Sequence, residues 1–217
     1  MTTERSIPER CKAITYSRRG EPKDVLQYED NYPVQKSISK DSVLVKIEAA
    51  GINPVDWKTM KFLPSLWGKK VAGKDYSGTI VKVHEDSIDK RFKVGDKVYG
   101  QIEFTEKIKN GSGTLVQYAL CPIETIAIRP DHLSAIDLGG ITTVAQTALV
   151  VIEYSDVLFQ SGKKKPRILV CGGSSAVGLM AIPILKHKGA FVASTCSKAK
   201  FEVVSKRGAD ETFDCEL

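Results

Sequence analysis

The sequence predicts an α/β chain in two parts, a β-rich N-terminal part followed by the first half of an open parallel sheet. Three observations carry this. Up to residue 128, short β-branched runs are separated by Gly, Pro and Asp turns, the pattern of an antiparallel meander. Near Asp131 the pattern changes to apolar runs alternating with helix-length segments, as in βαβ units, which sets parts at 12–131 and 132–217. Within the second part, Arg167 to Gly208 reads strand, Gly/Ser-rich turn, helix, strand, helix.

In order along the chain, Lys12–Tyr16, Val25–Tyr28 and Ser42–Ala50 have strand composition, with Val43, Val45 and Ile47 alternating against Leu44, Lys46 and Glu48. Asn53 is placed to cap a short helix whose first residue is Pro54. Thr79–Val83 reads as a strand, and Phe92–Gly100 as a strand pair around a Gly-Asp turn. Gly113–Cys121 and Thr125–Ile128 add strands, and Ile141–Val151 is apolar enough to be buried. Arg167–Cys171, short, β-branched and flanked by Pro166 and Gly172, reads as a buried parallel strand.

The turn that follows is Gly172-Gly173-Ser174-Ser175-Ala176-Val177-Gly178. Small residues allow a ligand close to the backbone, and the N–H groups opening the next helix form an anion site. The match to the dinucleotide fingerprint is loose, because Gly172 and Gly178 keep the spacing while serine replaces the central glycine. A second strand, Phe191–Thr195, at βαβ distance supports it; a tight βα turn with no ligand is the alternative. An NAD site needs an acid at the end of that second strand for the ribose hydroxyl. None occurs from Val157 to Phe201; instead Ser197 is a helix N-cap, followed by Lys198 and Lys200 in the first turn. There the helix dipole disfavours cations, and a bound 2′-phosphate reverses the penalty, so the reading is NADPH over NADH. Two solvated lysines, at a cost of about 0.3–1 kcal/mol, are the plainer account.

Bulk properties set outer bounds. The 217 residues are 42% hydrophobic, enough for a core, and no apolar run reaches membrane-spanning length. MTTERSIPERCK mixes acids and bases without a hydrophobic stretch, so no secretory or transit peptide is expected and the cytoplasm is the default. Five scattered cysteines, never in C-x-x-C spacing, suit a reducing compartment and exclude a paired-cysteine zinc cluster. The net charge of +6 is mild, and its densest run, Lys163 to Lys165, reads as a solvated loop with no nucleic-acid partner.

The ordered motifs AGINPVDWK, AGKDYSG, FKVGDKVYG, GTLVQYA, GGSSAVG and GADETFD resemble the medium-chain dehydrogenase/reductase superfamily, in particular its zinc-free quinone-oxidoreductase-like branch, which includes the mitochondrial reticulon-interacting proteins and fungal relatives. The likeness runs from Lys12 to Asp214. It implies a GroES-like catalytic domain followed by a Rossmann domain, NADPH in the cleft, and hydride delivered to a quinone, enone or related carbonyl compound. It also implies Asn53 near the nicotinamide, Ser174, Ser175, Ala176 and Val177 along the pyrophosphate, and Ser197 and Lys198 at the 2′-phosphate. Where the superfamily's zinc enzymes carry cysteine and a Gly-His-Glu motif, this chain has Asn53 and Gly73-Lys74-Asp75; amide and ammonium are poor zinc donors, so no metal is expected. Asn53, Asp56 and Tyr76 are the active-site candidates, the latter two equally readable as structural.

The departures from the family are specific. Thr143-Val144-Ala145 stands for Leu-Thr-Ala and loses the usual hydroxyl position, Cys215 replaces a tyrosine, and Pro183 interrupts the helix after the turn. After Asp214 only two strand–helix units and a third strand exist, against six strands in a doubly wound fold, so a truncated Rossmann domain of weak autonomous stability is expected. The resulting expectation is an NADPH-dependent oxidoreductase, or part of one, with a homodimer left open for a full-length chain. The alternative is a non-enzymatic dinucleotide sensor or interaction protein of the same family.

Overall fold

The computed structural model describes residues 7–62, 68–103, 105, 110–154 and 165–216. It divides into two compact units, Met1–Thr143 and Val144–Leu217.

The first unit is built from antiparallel strands. β1 (Arg10–Tyr16) lies between β2 (Gln27–Pro33) and the short β4 (Lys70–Val71). A second sheet has the order β7-β3-β5-β6-β8, with β3 Ser42–Gly51, β5 Asp75–Val83, β6 Lys97–Gln101, β7 Tyr118–Pro122 and β8 Ile126–Ile128. Val43, Leu44 and Val45 are consecutive and all fully buried, unlike the strict alternation the sequence suggests. The register against β5 shifts between Leu44 and Val45, and β3 is flanked on both sides.

Two predicted strands give way to turn chemistry. Pro22 opens a helical turn, α1 (Pro22–Val25), so Val25 ends a helix and the strand starts at Gln27. Phe92 to Asp96 is a turn: Gly95 has φ +95°, its N–H donates to Ile80 O, and Asp96 Oδ2 accepts from Lys93 N. Phe92 itself plugs the core.

α2 (Pro54–Phe62) begins at proline as expected, and α3 (Ala135–Leu138) is held by a Ser134–Asp137 capping box. The next helix, α4 (Thr142–Glu153), starts in the first unit and continues into the second. The compact units part after Thr143, and α3 packs on β3. Gly51 N donates to Gly139 O at 2.7 Å, and a Cβ at Gly51 would lie 2.3 Å from Gly140 Cα. This side-chain-free crossing fixes the segments that carry Asn53 and Thr143.

In the second unit β9 (Arg167–Cys171), β10 (Phe191–Cys196) and β11 (Glu211–Asp214) are parallel in the order β11-β10-β9. The crossovers are α5 (Ala176–His187), which continues through Pro183, and α6 (Phe201–Lys206). Ile182, Leu185, Val192 and Val204 form the core with Ile152 from α4. β9 is parallel but not buried as expected: Ile168 and Val170 face the core while Leu169 is 56% exposed. Ile141–Val151 is likewise not buried throughout. Only Ala148 and Ile152, one helical turn apart, are buried, while Leu149 to Val151 face outward.

Lys163 and Lys164 of the basic run lie outside the described residues. Among the described residues no helix is long and apolar enough to cross a membrane.

Gly51→Ala is expected to cost about 1–3 kcal/mol through overpacking, seen as a lower urea midpoint, whereas Ile136→Ala on the exposed face of α3 changes it by under about 0.5 kcal/mol.

Candidate functional site

In the second unit the site starts at the carboxyl end of β9. Gly172 has φ +75°, a region that favours glycine, and its N–H donates to Thr195 Oγ1 at 3.0 Å. Gly173 N donates to Thr195 O at 2.9 Å, and a Cβ there would fall 1.9 Å from Ser194 Oγ. A Cβ at Gly178 would lie 2.6 Å from Gly172 O, so the third glycine lets the first turn of α5 lie on the loop, the packing role that position has in dinucleotide folds. Ser175 is the N-cap, its Oγ accepting from Gly178 N at 3.1 Å.

The cap leaves the N–H groups of Ser174, Ala176 and Val177 without a protein acceptor among the described residues. These three amides, at the positive end of a twelve-residue helix, form an anion cradle. They belong to residues the sequence assigns to the pyrophosphate. Gly173 was missed, although the Gly-Gly pair signals it.

At the end of β10, Ser197 has extended backbone angles and opens a 3-10 turn, Lys198–Lys200, but its hydroxyl makes no capping bond. The expected placement of both lysines in the first turn of an α-helix is corrected: α6 starts only at Phe201, so the helix-dipole argument does not apply to them. Residues 157–201 hold no acid, but the fold brings one from outside that stretch. Asp214, the last residue of β11, pairs in register with Cys196, and its Oδ2 lies 3.5 Å from Lys198 Nζ. Lys198 is mostly exposed and Asp214 mostly buried, so the lysine is the mobile partner of this pair. A separate carboxylate, Asp210, fastens α5 to β10. It accepts from Lys186 Nζ at 2.6 Å and Val192 N at 2.7 Å, and these hydrogen bonds, Lys186 foremost, hold its carboxyl below the usual range.

In the first unit the expected capping role of Asn53 is only half realised. Asp56 Oδ2 accepts from Asn53 N at 2.8 Å, closing the helix start, while the Asn53 side chain turns elsewhere: Nδ2 donates to Asp75 Oδ2 at 3.0 Å. Asp75 is fully buried. Its carboxylate also accepts from Thr143 N at 3.0 Å and Thr143 Oγ1 at 2.5 Å, and Thr143 Oγ1 lies 3.3 Å from Gln101 Oε1. The sequence brings in Asp75 and Thr143 only as departures from family motifs, not as site candidates or as partners of each other. The hydroxyl that the Leu-Thr-Ala comparison counts as displaced is in use here.

Tyr76 is corrected. It is fully buried in the core beside Cys121, and burial pushes its phenol well above the usual value, so it presents no surface to a ligand. Asp56 is buried in a capping role. Among the described residues no group of three or more His, Cys, Asp or Glu side chains could hold a metal ion. Lys74 lies 4.0 Å from Glu103.

Residues 39–131 match the alcohol dehydrogenase GroES-like domain. A GroES-like domain followed by a parallel-stranded βαβ unit is an arrangement the chain shares with solved oxidoreductases. Three proteins illustrate the similarity. The trans-enoyl reductase mycC of Thermothelomyces thermophilus is 35% identical over 99% of this chain and 60% of its own length. The chloroplastic NADPH-dependent alkenal/one oxidoreductase of Arabidopsis thaliana is 36% identical over 99% of this chain and 55% of its own. The quinone oxidoreductase of Coxiella burnetii superposes with TM-score 0.75 at 27% identity, covering 94% of this chain and 62% of that one. Over nearly its whole length the chain is thus similar to the quinone-oxidoreductase-like branch of the medium-chain dehydrogenase/reductase superfamily. It spans little more than half the length of the curated relatives it matches.

The Asp210 carboxyl, depressed in the folded state, adds stability that is present above its unfolded pKa of about 3.9 and is lost as pH falls through the folded value. Asp210→Asn is therefore expected to melt below the parent protein at pH 7, with the gap closing in a melting series taken below about pH 4.

Proposed function

We propose that this chain is part of an NADPH-dependent, zinc-independent oxidoreductase that reduces an enone, a quinone or a related carbonyl compound. The carrying observation is the cradle of unpartnered Ser174, Ala176 and Val177 amides at the start of α5, directly after a parallel strand. The relatives add the chemistry: their names specify enoyl, alkenal and quinone reduction, and one specifies NADPH.

In this reading, residues 12–131 serve as the catalytic domain and 132–217 as the nucleotide domain. When bound, the cofactor supplies a hydride. The three amides take the pyrophosphate, and Gly172, Gly173 and Gly178 keep the backbone bare enough for it to approach. Ser197, whose hydroxyl has no capping bond, and Lys198 take the 2′-phosphate, the lysine leaving its 3.5 Å contact with Asp214. Asn53 stands beside the nicotinamide. Asp56 retains only its helix-closing role. The five free thiols fit a reducing compartment, and on that ground we assign the protein to the cytoplasm.

Titration followed by nicotinamide fluorescence and thermal shift tests this. NADPH is expected to bind more tightly than NADH, and Lys198→Ala to weaken NADPH by about tenfold or more while leaving NADH unchanged, the loss of one charge-assisted hydrogen bond. Equal affinity for both nucleotides in the parent protein would refute the 2′-phosphate assignment.

A further inference from the structure

We propose that Asp75 is a positioning residue that sets the polarity of the Asn53 side chain, so that Asn53 offers a hydrogen-bond acceptor to the nicotinamide end of the cofactor. The assignment rests on the functional reading above and concerns a residue that reading does not use.

An ionised carboxylate only accepts hydrogen bonds. Facing Asp75 Oδ2 at 3.0 Å, the Asn53 carboxamide must therefore present Nδ2, which leaves Oδ1 pointing away from it. Asn53 is 7% exposed, yet Oδ1 has no protein donor among the described residues and is not one of the sealed, unpartnered side-chain atoms. It is an acceptor of fixed direction, open to a ligand.

Asp75 is itself immobile. Its backbone lies in β5 opposite Gly51 of β3 and Gln101 of β6, and Thr143 N and Oγ1 hold the carboxylate from the start of α4. The backbone N–H of Asn53 is held separately by Asp56, so only rotation of the carboxamide is left to control, and Asp75 controls it. The complementary ligand group is a donor, either the carboxamide N–H or a ribose hydroxyl of the nicotinamide riboside; the adenosine end makes no use of this acceptor.

The test exchanges amide and acid. Asp75→Asn alone keeps the Asn53 orientation, its Oδ1 accepting from Asn53 Nδ2 and Thr143 N while its Nδ2 donates to Thr143 Oγ1; Asp75→Leu removes the acceptor, and nothing then sets the rotation of the Asn53 carboxamide. In the double variant Asn53→Asp with Asp75→Asn, residue 75 donates to the carboxylate at 53, which again leaves an outward oxygen. Affinities for NADPH and for 2′,5′-ADP, which lacks the nicotinamide riboside, are measured by calorimetry on the full chain.

Asp75→Leu is expected to weaken NADPH by about tenfold and 2′,5′-ADP by less than about twofold, and the exchanged pair to recover NADPH affinity to within about threefold of the parent. Equal weakening of both ligands, no weakening, or no recovery in the exchanged pair would overturn the positioning role while leaving the cofactor reading intact. No binding of 2′,5′-ADP to the parent chain would overturn the cofactor reading, and this assignment with it. If Asp75→Leu loses its cooperative melting transition, the exchanged pair decides alone: parent-like NADPH affinity upholds the proposal and its loss refutes it.

Discussion

The first turn of α5 rests on the end of β9 with no side chain between them, and the anion cradle depends on that contact. Gly178 is pressed against Gly172 O and the Gly173 backbone, and Gly173 against Ser194. A methyl group at either glycine would lift the helix from the strand and tilt its amide groups away from a common focus. Ser175 then satisfies one donor and leaves its neighbours free, so the hydrogen-bond shortfall common to helix starts becomes a place for negative charge. The protein atoms supply direction without contributing a formal charge.

Charge enters at the second strand end, where it is balanced. Lys198 stands against Asp214, a pair that leaves the exposed partner free to move. An ion pair with one solvent-exposed member contributes little stability, so exchanging one anionic partner for another is inexpensive. Linear sequence hides this balance, because Lys198 follows β10 and Asp214 ends β11, and the two meet only through the parallel register of those strands.

Local signals made much of the chain legible. The Gly-rich turn, the Pro54 helix start and the parallel order of the C-terminal strands all follow from a few adjacent residues. Misreadings arose where composition had to stand for neighbours. Tyr76 looked like an active-site phenol but sits in the core, since alternation along β5 cannot say which face is covered. The apolar run 141–151 suggested burial, yet a helix buries a stripe, and most of this one faces outward. Asp75 and Thr143 were read only as departures from family motifs, because their meeting, 68 residues apart in sequence, is encoded by no motif spacing.

The bare crossing of Gly51 with Gly139 and Gly140 bears on how this scaffold can be remodelled. The loop leading to Asn53 and the loop leading to Thr143 share one contact plane, so neither can be lengthened or replaced without the other following. Anyone transplanting a different substrate loop into this protein would have to move both as a single cassette.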